Sequence, residues 1–455
     1  MSFSSRLEGP PVLDQPGERS APLAHPPADD DAEASPQPLR ILFTSYRSHP
    51  FSGGQGVYLR HLTKALSALG HSVYVISGPP YPELDPSIGL IKLPSLDLYA
   101  TDAPLRALRP RHLTSLTDLY EWAAHTSGKF PEPYTFGRRL KQRFEQDPDA
   151  LRGYDVVHDN QTLSWGVLAL EEMGAPLVAT LHHPITVDRR LALEAAKGWR
   201  PRKVGLRLLI RRWHSFLPMQ MKVARQIKRL VTISDSSRED FAEAFGLERA
   251  RIERVYLGID TEQFRLRPDI AREPETLICT ASADVALKGL AYLIEAAALL
   301  REKWPRLKLK IIGALREGPT KRRLKALAME DATEFMSGLS GDALSEAYAR
   351  AAIAIVPSLY EGFGFPAGEA MATGAPVIAT TGGALPEVVG DAGLLVPPGD
   401  AAALASAIDR LLSDAALRAE LGAAGRRRVE ERFTWTRCAE AMTRIYAEAI
   451  ADAHR

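Results

Sequence analysis

The chain has 455 residues, too many for one hydrophobic core, so two domains are the starting expectation. It is 45% hydrophobic and 25% charged, an ordinary soluble composition, and 57 Lys and Arg against 56 Asp and Glu exclude a nucleic-acid or other polyanionic partner held by bulk charge. Two distant cysteines, Cys279 and Cys438, fit a reducing cytoplasm and argue against a disulfide framework or a Cys-based metal site. The opening MSFSSRLEGPP lacks the apolar centre of a secretion signal, and no apolar run is long enough to span a bilayer.

Residues 1–38 carry eight prolines and the run Asp29-Asp30-Asp31 with almost no aromatics, so they are expected to be a disordered tail. Order begins at LRILFTS (39–45), which reads as a buried strand. Glycine-rich SGGQG, a helical YLRHLTKALSALG and a strand SVYVIS (72–77) follow. This is a βαβ unit and implies a parallel sheet with a right-handed crossover. Residues 80–150, rich in Pro, Arg and Leu, read as an irregular insertion with helical pieces such as LTDLYEWAAH. Further short strands are expected at 154–160, 176–183 and 229–234, and IERVYLGID (252–260) is expected to end this half.

Residues 260–275 are polar and broken by proline, which makes them the linker. A second set of strands then alternates with helices: TLICTAS (276–282), LKLKIIGA (307–314), ATEFMSG (332–338), AIAIVPS (352–358), PVIATT (376–381) and GLLVPPG (393–399). The expected fold is α/β, with two doubly wound Rossmann-like domains, 39–265 and 266–432. A C-terminal helix at 433–455 is expected to cross back to the first domain. In open α/β sheets ligands sit beyond the carboxyl ends of the strands, so two such domains face a shared cleft.

EGFGFPAGE (361–369) lies where AIAIVPS gives way to a helix. Gly362 and Gly364 let backbone N–H groups approach a ligand, and Pro366 suits a first helical turn. Unpaired N–H groups at a helix start favour a diphosphate or polarised hydroxyls. Glu361 before the loop and Glu369 inside the helix can hold one molecule from two sides. Taken singly, each glutamate reads as a first-turn acid or a solvated charge; the joint pattern points to a site.

SGGQGV (52–57) is a Gly-rich turn before a helix. A dinucleotide fingerprint would need a glycine near position 59, which is Leu, so an NAD site is disfavoured. Lys288, in TASADVALKG, can neutralise a diphosphate whose charge grows as a sugar leaves; a surface lysine is the plain alternative. VATLHHP (178–184) puts His182 and His183 at a strand's carboxyl end, on opposite faces. Adjacent histidines chelate poorly, and no third ligand stands at a useful spacing. Asp147-Pro148-Asp149 formally matches an acid pair for metal-bound nucleotides but lies at no strand end.

PSLYEGFGFPAGEAMATGAPVIATTGGALPEVV (357–389) resembles the signature region of retaining glycosyltransferases of family 4, which have the GT-B fold. The resemblance runs from about Leu39 to the C-terminus, is strongest over 352–399 and weakest over 80–150. It implies a hexosyltransferase using a UDP- or GDP-sugar, without metal, on an acceptor that is lipid-linked, a glycan or a small metabolite. Glu361 and the amides of Phe363, Gly364 and Phe365 would hold the donor sugar, and Glu369 the ribose. Gly54 and Gly56 would approach the diphosphate and acceptor, Lys288 would take the leaving charge, and His182 would stand by the transferred sugar. Relatives often carry an arginine shortly before the lysine, where this chain has Ser282-Ala283-Asp284-Val285; Lys288 acts alone or Arg316 substitutes. Two other readings remain: a nucleotide-sugar 2-epimerase of the same fold, and a sugar-nucleotide-binding protein without turnover.

Finally, residues 197–229 hold eleven Lys and Arg and no Asp or Glu, interleaved with Leu, Ile, Trp and Phe. A helix resting on an anionic membrane and an ordinary solvated helix face are both consistent with this pattern; nucleic acid fits on charge alone, but no recognised binding motif accompanies it.

Overall fold

Apolar runs of four to eight residues make strands here because helices cover the sheets on both faces. Every residue of Val156–Asn160, Leu177–Leu181 and Ala351–Val356 is buried. The computed structural model describes residues 37–48, 54–101, 103–182, 185–197, 201–281 and 285–455. The tail expected at 1–38 falls outside these residues for positions 1–36.

The first sheet contains β1 (Arg40–Ser45), β2 (Ser72–Ser77), β3 (Gly89–Lys92), β4 (Val156–Asn160), β5 (Leu177–Leu181), β6 (Arg229–Thr232) and β7 (Ile252–Arg254). Its order is β3-β2-β1-β4-β5-β6-β7, all parallel. The second contains β8 (Glu273–Thr280), β9 (Lys308–Ile312), β10 (Thr333–Met336), β11 (Ala351–Val356), β12 (Val377–Thr380) and β13 (Leu394–Val396). Its order is β10-β9-β8-β11-β12-β13, again all parallel. Each sheet is doubly wound, and each has its switch point beside its first strand, at β1/β4 and at β8/β11. Both belong to one compact unit, residues 38–455.

Two expectations need correction. The insertion at 80–150 is more regular than its composition suggests. It holds β3 and the helices Leu116–Thr126 and Glu132–Gln146. The second helix buries Phe136, Leu140 and Phe144, a spacing of four that its many charges obscure. It packs so closely on Trp165–Glu172 that a Cβ on Gly137 or Gly166 would overlap the other helix. The segment 252–260, expected to end the first half, begins with the short strand Ile252–Arg254. β8 starts at Glu273, inside the expected linker, because the first residues of this central strand are polar and only partly covered; Lys310 Nζ meets Glu273 there at 2.7 Å.

The helix Trp435–Ala453, capped by Thr434, lies against the helix Gly54–Ala68 and against β4 and β5. It buries Cys438, Met442, Ile445 and Ala449 along one face. Tyr446 on that helix places its hydroxyl 2.6 Å from Nδ1 of buried His158. The preceding helix, Ala415–Arg432, packs on Phe365–Ala372 of the second half, so the last two helices touch both halves. Both cysteines are buried and free.

Candidate active site

A cavity of about 510 Å³ opens beyond the carboxyl ends of both sheets. Its first wall is built after β1 (Arg47, Gly54, Gln55, Gly56), β4 (Gln161), β5 (His182) and β6 (Ile233). Its second wall is built after β8 (Lys288) and β11 (Glu361 to Pro366). The loops at both switch points therefore meet in one space, as the topology requires.

On the second wall, Leu359 N–H donates to Leu287 O at 2.7 Å, which ties the Lys288 turn to the loop after β11. Gly289 takes φ +62° and touches the Pro357 carbonyl, where any side chain would clash. This lock brings Lys288 Nζ to 2.7 Å from Glu361 Oε1, across 73 positions of sequence. Ser358 Oγ donates to the same oxygen at 2.7 Å. Lys288 keeps 32% of its side chain exposed and Glu361 12%, so the pair faces the cavity and a ligand can reach it.

Gly364, at φ +106°, begins the helix Phe365–Ala372, and no side chain caps that start. Serines cap the helices Trp165–Glu172 and Asp235–Phe245 instead. The rings of Phe363 and Phe365 stack edge-on at 5.4 Å, and Phe363 also packs on Phe433. Their side chains are thus held in apolar packing while the segment Gly362–Pro366 lines the cavity. An uncapped helix start on a cavity wall is a site for anionic oxygens. Glu369 lies one turn deeper and does not line the cavity. Loss of hydration pushes its carboxyl up to about 7.

On the first wall His182 is buried, and that burial pushes its pKa down to about 3, so the ring is neutral. Its Nε2 lies 2.6 Å from Asn160 Oδ1. Asn160 Nδ2 faces the Gln55 carbonyl at 3.4 Å, a group that only accepts, so Oδ1 must face the histidine. Nε2 therefore carries the proton and Nδ1 the lone pair. Tyr58 packs edge-on against the ring at 4.5 Å and hydrogen bonds Thr180, which also contacts His158. His182 N–H donates to Gln161 Oε1 at 2.6 Å.

The cavity thus gathers His182, Lys288, Glu361, Gly54, Gly56, Phe363, Gly364 and Phe365; Glu369 is not among its lining residues. Arg316 is exposed and lies apart from it. His183 and Ser282-Ala283-Asp284 fall outside the described residues. Asp147 caps the helix Pro148–Arg152 and Asp149 pairs with Arg152, a structural use of both acids.

Sequence reasoning missed Arg47, Gln55, Asn160 and Gln161. Asn160 and Gln161 end β4, and the rule that ligands sit beyond strand ends could have found them. Gln161 sits at φ +56°, a left-handed conformation uncommon for a side-chain-bearing residue and frequent at functional sites. Arg47 contacts Glu132 at 3.3 Å and stacks over Tyr99. Burial pushes Glu132 up to about 8, against the pull of Arg47.

Two doubly wound domains that bring a lysine, a carboxylate and an uncapped helix start to a shared cleft define the GT-B class of glycosyltransferase. Comparison with known proteins agrees. Residues 52–263 match the model for Glycosyltransferase Family 4, and residues 262–428 match that for Glycosyl transferases group 1. The chain is 44% identical over 419 residues to the MMP alpha-(1->4)-mannosyltransferase of Mycolicibacterium hassiacum, covering 91% of this chain and 99% of that protein. It is 28% identical to the D-inositol 3-phosphate glycosyltransferase of Streptomyces bingchenggensis, covering 92% and 91%. Among solved structures, sucrose-phosphate synthase from Thermosynechococcus elongatus superposes with a TM-score of 0.66 at 25% identity, over 91% of this chain and all of that one. The chain belongs to glycosyltransferase family 4 and is a glycosyltransferase.

Proposed function

We propose that the enzyme moves a mannosyl group, with retention, from a nucleoside-diphosphate sugar to a hydroxyl of a mannoside acceptor. The mannosyl assignment is carried by the 44% identity, over nearly both full lengths, to an alpha-(1->4)-mannosyltransferase. The chemistry is carried by the Lys288–Glu361 contact at the cavity. In the reaction the bond between the anomeric carbon and the phosphate oxygen breaks, and its electron pair stays on the diphosphate. The acceptor oxygen bonds to that carbon on the same face, and its proton passes to the departing phosphate oxygen. Lys288 and the loop amides stabilise the leaving charge without a metal, and Glu361 grips a sugar hydroxyl. Neutral His182 offers only hydrogen bonding and never repels the cationic anomeric centre.

A donor panel with GDP-mannose, GDP-glucose, UDP-glucose and UDP-mannose, with and without an α-mannoside, tests the reading. Nucleotide release that requires both GDP- or UDP-mannose and the mannoside is expected. Epimerised sugar without acceptor, or tight nucleotide binding without consumption, would establish one of the other two readings.

The basic stretch supports a peripheral membrane contact in part only. Its second half, Leu217–Ala224, buries Leu217, Val223 and Ala224 and belongs to the core. Its first half, the helix Pro201–Trp213, exposes Val204, Leu206, Leu208, Leu209, Arg211 and Arg212 together, a surface suited to anionic lipid. Among the described residues no helix is long and apolar enough to cross a membrane.

A further inference from the structure

The donor loop is held from the opposite wall. Ser234 caps the helix Asp235–Phe245, its Oγ accepting from Ser237 N–H at 3.0 Å. The same hydroxyl donates to the Gly362 carbonyl at 2.7 Å, and Ser237 Oγ donates to that carbonyl at 3.1 Å. Two hydroxyls of the first domain thus converge on one peptide of the second. Beside them, the carboxylate of Glu387 in the second domain accepts from Asp235 N–H at 2.7 Å and from Ser236 N–H at 2.8 Å. Tyr256, on the first-domain side, donates its hydroxyl to Glu387 at 3.1 Å. Tyr360 reaches Asp240 on the same helix.

The first three N–H groups of that helix are therefore satisfied, one by its own cap and two by a carboxylate from across the cleft. A bidentate carboxylate on a helix start is a strong and directional contact. Within the second domain, Ala384 N–H donates to Glu361 O at 2.8 Å, so the carbonyls of both Glu361 and Gly362 are pinned. Glu387 lies three residues after Ala384, in the same short turn, Leu385–Val389. In a trans peptide the N–H lies opposite the C=O. Fixing the Gly362 carbonyl therefore fixes the direction of the Phe363 N–H, a group on the cavity wall.

We propose that Ser234, Ser237 and Glu387 are positioning residues for transfer: the acceptor domain, by docking on the Glu387 carboxylate and the Gly362 carbonyl, aims the donor loop. Only when the domains meet are the loop amides and Glu361 set for the sugar. This couples assembly of the donor-sugar site to presence of the acceptor domain, and limits wasteful hydrolysis in an open cleft. The inference rests on the glycosyltransferase reading for its kinetic consequence but not for the contact itself.

The test uses the full chain as Ser237→Ala, which keeps the Ser234 cap, and as Glu387→Gln, which replaces one of two accepting oxygens by a donor. Amide hydrogen exchange over 361–366, read without substrate, is expected to speed up at least about fivefold in both. In the transfer assay kcat is expected to fall about 10- to 100-fold, the range for a reacting group misplaced by remote change. Affinity for free UDP or GDP, whichever the wild type binds, is expected to fall by much less than kcat, because Lys288 is untouched and only the aim of the loop amides is lost. Unchanged exchange over 361–366 would overturn the contact's role whatever the enzyme's substrate. Equal weakening of free nucleotide and transfer, together with a lowered Tm, would reduce these residues to structural support. Absence of any transfer by wild type would count against the mannosyl reading alone.

Discussion

Replacing Lys288 by alanine removes the cation closest to Glu361, and the geometry sets how much that should cost. Nζ stands 2.7 Å from Glu361 Oε1 with about a third of the side chain exposed. A partly exposed ion pair contributes about 0–1 kcal/mol to stability, and Ser358 Oγ still donates to Glu361 when the lysine is gone, so the variant should fold with a Tm close to wild type. Catalysis is different, because the charge on the leaving diphosphate grows only along the reaction. A charge-assisted contact is worth about 1.5–3 kcal/mol, which converts to a loss of about 10- to 150-fold in kcat. The loss should exceed the rise in donor KM, since the interaction strengthens in the transition state. The alanine also leaves Glu361 unneutralised at the wall, adding repulsion toward a diphosphate. Steady-state nucleotide release at saturating acceptor, with thermal unfolding alongside, measures both. A wild-type kcat in a folded Lys288→Ala protein would refute the assignment.

Glu369→Gln should raise Tm relative to wild type as pH climbs from about 4.5 to about 7. The folded carboxyl titrates near 7 against 4.5 for an ordinary glutamate, so stability is full at low pH and lost on ionisation. A pH-independent difference in Tm would contradict that burial argument. Charge reversal at Arg207, Arg211 and Arg212 should abolish sedimentation with phosphatidylglycerol vesicles while leaving transfer to a soluble mannoside intact; equal sedimentation of both proteins would make that helix an ordinary surface. Dialysis against EDTA should leave the transfer rate within about twofold, and a loss restored by Mg²⁺ or Mn²⁺ would show that Lys288 and the amides do not act alone.

Much of the fold can be read from local sequence because doubly wound strands are buried on both faces and appear as short apolar runs. SVYVIS is β2 end to end. β3 escaped notice because GLIK is half-buried and short. The helix Glu132–Gln146 hid its apolar stripe among three arginines and a lysine. In the site, the glycine loop and Glu361 share one short segment and were legible together, whereas Glu369, read with them, does not line the cavity. The cross-chain contacts were not: Lys288 meets Glu361 over 73 positions and Asp235 meets Glu387 over 152. Such pairs leave no periodic trace, since their partners are set by how two sheets face each other. Glu387 stands within the quoted signature, yet nothing in its neighbours announces that it caps a helix of the other domain.

The most direct test of the account is a structure of the protein with an intact donor analogue, such as GDP-2-deoxy-2-fluoro-mannose. The account predicts the diphosphate beside Lys288 Nζ and the amides of Phe363 to Phe365, with a sugar hydroxyl on Glu361 and the anomeric carbon facing His182. A nucleotide bound elsewhere, or a Glu361 carboxylate turned away from the sugar, would contradict it.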